Sequence, residues 1–243
     1  MRTPLLTLAL VLSATTGVAG AQSLSAAKPL FDQGKWQDAA SMAAALNSSD
    51  GLAAAAEYTT AGAGISDADD KKALFQKAQD YAKKAISLNA NNAEAYFEMA
   101  RAQGRLAQFA GVFESLGLAK EMKRNLDRAI ELNPRLAGAY VALGLWNATL
   151  DSGGVKGAIA KSQTGADKRK VNDYFKKAIS LEPNNPTHRI EWVNALQTMN
   201  VLNQGNNKKF AIDQLTAALA MPATTFWDKR QAAEARATLD KLR

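Results

Sequence analysis

Glu94, Glu98, Arg101 and Arg105 fall at helical spacing within one short stretch of this 243-residue chain. Arginine is the side chain best shaped to grip a carboxylate, because its planar fork donates paired hydrogen bonds. Two arginines about one turn apart suit an extended acidic peptide or a carboxylate ligand. The same spacing also suits ordinary surface ion pairs, which contribute about 0.2–0.5 kcal/mol each. Both readings stand at this level.

A second concentration of charge lies further on. Lys156, Lys161, Lys168, Arg169, Lys170, Lys176 and Lys177 are opposed only by Asp167 and Asp173. They suit docking to an anionic membrane or an acidic polymer surface, at about 1 kcal/mol per basic residue near an anionic bilayer. They equally suit a solvated loop held open by its own repulsion. A third feature is apolar: Phe109, Val112, Phe113 and Leu116 sit at i, i+3, i+4 and i+7. That stripe either packs on a neighbouring helix or leaves a patch for a partner.

Catalytic constellations are missing. His188 is the one histidine, and there is no cysteine. A lone histidine does not make a typical metal site. As a general base it would need a nucleophile and an orienting carboxylate, and no motif supplies them. The stretch from Gly157 to Ser162 has Ala160 where a phosphate loop needs glycine, and Gly62-Ala63-Gly64 lacks the third glycine of a dinucleotide site. The expectation is a protein that is not an enzyme, with no catalytic, cofactor or metal residues.

The elements that position these residues read as helices throughout. Alanine is abundant and proline is scarce, a composition that favours helix. Leu74, Ala78, Tyr81, Ala82, Ala85 and Ile86 share one helical face, as do Met122, Leu126, Ala129 and Ile130, and Val171, Tyr174, Phe175, Ala178 and Ile179. Each stripe ends at a turn signal, at Asn89–Asn92, Asn133-Pro134 and Glu182–Pro186. Before each turn stands one phrase in three versions: Lys84 to Asn89, Arg128 to Asn133, and Lys177 to Glu182. Recurrence at such a period is the mark of a helical repeat array.

The first 21 residues read separately. Arg2, the apolar run Leu5–Leu12 and the small residues ending Ala19-Gly20-Ala21 form the pattern of a secretory signal peptide. The run is too short to span a bilayer, which takes about 20 residues. Cleavage after Ala21 would leave a chain of residues 22–243 in the periplasm or outside the cell, with no cysteine to carry a lipid anchor. The net charge of +7 is modestly basic, and outside the cytoplasm acidic proteins or envelope surfaces are expected partners in place of nucleic acid.

The repeated phrase resembles the tetratricopeptide repeat. Ala137, Tyr140, Leu143 and Gly144 match the first helix of that repeat, and Leu126, Ala129, Leu132 and Pro134 match its second helix and turn. Gly34 to Ala39, and Ala211, Leu215 and Ala218, look like weaker copies. The resemblance implies an all-α solenoid of about five helix pairs over 22–243, with Phe226 to Leu242 as a C-terminal capping helix. A standard repeat has 34 residues, whereas Ala85, Ala129 and Ala178 are 44 and 49 apart. The extra length falls at 108–120 and 151–170, between paired helices.

In the family the first helix of each repeat lines a concave face. The resemblance therefore implies a partner-binding surface of Glu94, Phe97, Arg101 and Arg105, continued by Val141, Leu145 and Ala148, and by Ile190, Asn194 and Gln197. It also implies an interaction scaffold for another envelope protein or an acidic peptide, aided by the basic insert at Lys156, Lys161, Lys168, Arg169 and Lys170. The layout of long repeats behind a leader is similar, more loosely, to the extracytoplasmic T-component of TRAP-type transport systems. That likeness implies the alternative of a solute-binding accessory with a small acidic or apolar ligand near the first insert.

Overall fold

The computed structural model describes the backbone of residues 16–243 and the side chains from Leu24 onward. Of the leader pattern over residues 1–21, residues 1–15 lie outside the described residues, and 16–21 belong to the first helix. Twelve α-helices follow in order among the described residues. They are α1 (Thr16–Asp32), α2 (Trp36–Ala45), α3 (Ser49–Ile65), α4 (Ala68–Leu88), α5 (Ala93–Leu106), α6 (Val112–Leu132), α7 (Ala137–Leu150), α8 (Gly154–Thr164), α9 (Val171–Leu181), α10 (Pro186–Thr198), α11 (Asn207–Leu219) and α12 (Phe226–Leu242). The fold is all-α, a tetratricopeptide-like solenoid of helical hairpins.

The repeated phrase does the same work three times. It closes α4 at Leu88, α6 at Leu132 and α9 at Leu181. Its alanines Ala85, Ala129 and Ala178 are fully buried, because only a methyl group fits where paired helices touch. Short polar residues start several of the helices. Ser48 accepts from the Gly51 amide at 3.1 Å, and Asn92 accepts from the Ala95 amide at 3.2 Å. Asn185 opens α10, with Pro186 at its first position, where the missing N–H costs nothing. Thr225 and Asp228 form a reciprocal capping box on α12.

The hairpins are α1/α2, α3/α4, α5/α6, α7/α9 and α10/α11, followed by α12. The first helices of successive pairs pack side by side, α1 on α3, α3 on α5, α5 on α7, α7 on α10, and α10 on α12. They form one wall. Glycines set the spacing at two contacts. A Cβ on Gly144 would come within 2.7 Å of the Phe175 ring, and one on Gly62 within 2.0 Å of the Trp36 ring. Bulky rings of the second helices thus seat against bare backbone of the first.

The two ends of the wall meet. Trp227 Nε1 of α12 donates to the Phe31 carbonyl of α1 at 2.8 Å, across 196 residues of chain. The Phe31 ring stacks on Tyr58 at 4.3 Å and on Trp227 at 4.9 Å. Phe226 covers Gly34, which has φ +83° and leaves no room for a Cβ. Here α12 is more than an end cap: it fastens the last repeat to the first.

Both inserts are ordered. Residues 108–120 extend the second helix of their pair and not the first. A 3-10 turn at Ala107–Phe109 ends α5, and α6 begins at Val112. Its stripe is not core: Val112 is 67% and Phe113 91% exposed, while Phe109 holds its ring centre 6.1 Å from that of Phe75, and Leu118, outside the stripe, packs with Ala63, Phe75 and Leu106. Residues 151–170 are no open loop. They form α8 and a 3-10 turn at Lys168–Lys170, and α8 packs on α6 and α7.

Candidate interaction groove

The expected concave face forms around α5. Glu94, Glu98, Arg101 and Arg105 lie on its inner side, and two glutamates from other helices join them. Glu57 of α3 acts on Arg101, and Glu191 of α10 acts on both Arg101 and Arg105. Helices α5 and α10 are separated by α7, yet Glu191 lies near enough to the α5 arginines for their charges to act on it.

Glu98 is 3% exposed, and its carboxylate takes both its hydrogen bonds from Arg101 Nη1, at 2.8 and 3.0 Å. Burial pushes this carboxyl up to about 7, with Arg101 only partly offsetting that. Burial also opposes the charge on Arg101, but Glu98, Glu57 and Glu94 outweigh it and raise its pKa. Arg101 is thus a structural cation, held between carboxylates. Its guanidinium also lies 5.6 Å from the centre of the Phe97 ring.

Arg105 differs. It is exposed and makes no ion pair within 4 Å among the described residues. Protein around it, and then the charge of Arg101, lower its pKa, and Glu191 offsets this in part. At the other end of α5, Glu94 is also open to solvent. Burial in the groove raises its carboxyl, the charge of Glu57 adds to this, and Arg101 opposes it. Burial likewise raises Glu57 and Glu191, and Glu191 accepts from Asn194 Nδ2 at 3.2 Å. The groove runs from acidic to basic along α5, over about 16 Å at 1.5 Å per residue.

The remaining expected residues divide. Phe97 forms part of the groove wall, with its ring filling the space over Gly138. Asn194 joins through Glu191. Leu145 does not join: it packs beside the core of Val171, Phe175 and Trp192. Val141 and Ala148 are buried in the same core, and Ile190 is buried against α11 and α12. The reason is that α7 is apolar on nearly every side and fills the middle of the solenoid. Gln197 is exposed on a shallow depression with Asn200, Leu202 and Asn203.

Sequence reasoning missed Glu57 and Glu191. The available signal was that Glu57 stands alone among alanines and threonines in the middle of α3. His188 lies inside α10 and not in a turn. It is 3% exposed, with Nε2 2.9 Å from Glu182, and burial lowers its pKa despite that partner. No cluster of three metal-ligating side chains occurs among the described residues.

The basic insert is tied down by its own counter-charges. Buried Asp151 accepts from Lys161 Nζ at 2.9 Å and from the Lys168 amide at 3.0 Å. Asp167 pairs with Arg169, whose hydrogen bonds draw its carboxyl well below the usual range. Lys156, Lys168 and Lys170 are exposed and enter no ion pair among the described residues. Val112 and Phe113 stand out in solvent instead of enclosing an apolar ligand.

Comparison with solved structures agrees with the fold. A thermophilic TPR protein of Thermus thermophilus superposes with a TM-score of 0.63 over 90% of this chain and 99% of that one, at 17% identity. Regulator of microtubule dynamics protein 1 of Bos taurus is 29% identical over 178 residues, covering 69% of this chain and 53% of the relative. The Mus musculus protein of that name is 28% identical over 185 residues, covering 72% and 57%. The chain thus spans about half the length of the curated relatives it matches. The model of the family described as Regulator of microtubule dynamics protein 1-3 matches residues 47–243, and the chain belongs to that family.

Proposed function

We propose that this chain is an extracytoplasmic interaction scaffold whose inner wall holds a segment of a partner protein. The observation that carries the reading is Arg105, a solvent-reachable guanidinium without an ion-pair partner among the described residues, set in a groove whose other end is acidic. A partner segment with an acidic side chain for Arg105, and a basic one about 16 Å away for Glu94 and Glu57, complements it. Arg101 is committed to Glu98, which leaves Arg105 as the anchor.

The relatives' name concerns the regulation of microtubule dynamics. The shared segment is about half their length, so only a docking role is carried over here, with no catalytic step. The extracytoplasmic placement rests on the leader pattern of residues 1–21, and cell fractionation with an antibody to the repeat region tests it. In-cell crosslinking with mass spectrometry tests the groove. Crosslinks from α5 to a recurrent partner should vanish in Arg105→Glu and persist in Arg105→Lys. Equal crosslinking in all three proteins would remove the groove assignment.

A further inference from the structure

We propose that α8, the 3-10 turn after it and the first turn of α6 form a docking face for an anionic lipid bilayer. The insert adds nothing to the inner wall, yet two buried polar side chains hold it in place. Asp151 holds Lys161 and the Lys168 amide, and Asn147 Oδ1 accepts from the Asp167 amide at 2.7 Å. A helix fixed so firmly presents an apolar outer face, with Val155 79% and Ile159 50% exposed, one turn apart. On α6, against which α8 packs, Phe113 is 91% exposed. All three apolar side chains are at least half exposed.

The charge selects the occupant. Residues 154–170 carry five basic side chains and one acidic, and after the internal ion pairs Lys156, Lys168 and Lys170 remain unmatched. Apolar tips flanked by lysines suit the bilayer interface, where the tips enter the acyl boundary and the lysines meet lipid phosphates. A second copy of this chain would set the same unmatched lysines against each other. An acidic polymer would satisfy the lysines but leave Phe113, Val155 and Ile159 in water. Among the described residues no helix is long and apolar enough to cross a membrane, so the contact is peripheral.

The test is flotation of the full chain with phosphatidylcholine vesicles, with and without about 30% phosphatidylglycerol, at low and high salt. The leader is common to every variant, so differences between variants report on this face alone. Wild type should prefer anionic vesicles, and salt should weaken the binding. Lys156→Glu with Lys168→Glu and Lys170→Glu should lower affinity about a hundredfold, from about 1 kcal/mol per lysine. Phe113→Asp with Val155→Asp and Ile159→Asp should lower it at least about tenfold, with the helical circular dichroism of both variants unchanged. Equal binding to neutral and anionic vesicles, or wild-type affinity in either variant, overturns the proposal. So does binding to soluble polyglutamate as tight as to vesicles.

Discussion

Replacing Arg101 by leucine should produce a loss of stability that grows with pH. In the native protein burial raises the Glu98 carboxyl from 4.5 to about 7. A group raised on folding contributes stability that is fully present below its unfolded value and is lost as pH rises through its folded value. Native stability should therefore fall between about pH 4.5 and 7 on account of Glu98 and then level off. Arg101 is what sets the upper limit, because it makes the ionised form tolerable. Without it the Glu98 pKa rises further, and the loss continues above pH 7 at about 1.4 kcal/mol per unit. At pH 9, two units beyond, the variant should lie about 3 kcal/mol further below wild type than it does at pH 6. Urea midpoints of wild type, Arg101→Leu and Glu98→Gln/Arg101→Leu at pH 6, 7.5 and 9 measure this. The double variant lacks the titrating group, so it should lose most of the pH dependence. A deficit in Arg101→Leu that stays constant from pH 6 to 9 would refute the assignment of Glu98 and Arg101 as a buried, mutually dependent pair.

Two further perturbations address the scaffold. Trp227→Ala removes the 2.8 Å bond to Phe31 and the stack on its ring, at a cost of about 2–3 kcal/mol, and Trp227→Phe should cost about 1 kcal/mol. Hydrogen exchange should show α12 losing protection first, and unchanged protection in Trp227→Ala would mean that the two ends are not fastened there. Gly62→Ala forces a methyl group into the Trp36 ring, with 2.0 Å available, and should cost about 3 kcal/mol or more. A melting temperature within a degree or two of wild type would show that α2 and α3 separate more easily than the packing implies.

Much of the fold was legible because its signals are local. An alanine that must be small, a turn that needs asparagine or proline and a stripe at helical spacing all lie within a few residues of one another. That is why the ends of α4, α6 and α9 coincide with the repeated phrase. The inserts were harder. Gly153, Gly154 and Gly165 read as loop residues, yet all three take positive φ at the two ends of α8, where glycine stops and starts a helix instead of dissolving it. Gly111, with extended backbone, stands just before the start of α6. The contact of Trp227 with Phe31 has no local signature, since it depends on how far five hairpins curve. The TRAP-type likeness rests on layout alone, whereas the family match spans residues 47–243, inserts included.

The candidate site was half legible for a physical reason. Spacing along α5 places Glu94, Arg101 and Arg105 on one face, but it cannot say which arginine is free. That is decided by Glu98, which is hydrogen-bonded to Arg101, while Glu57 and Glu191 add their charges from other helices. Their environments depend in turn on the ends of the array: Lys28 and Asp32 of α1 act on Glu57, and Glu234 of α12 acts on Glu191. The aromatic contact between α1 and α12 therefore also fixes the spacing of the charges that face the groove. Arg101 cannot serve a ligand without stripping Glu98 of its counter-charge, at a cost to folding. Arg105 can, because no carboxylate is hydrogen-bonded to it among the described residues. A solenoid of this kind separates the cation that holds the wall together from the cation that is free to bind, and it does so on one helix, four residues apart.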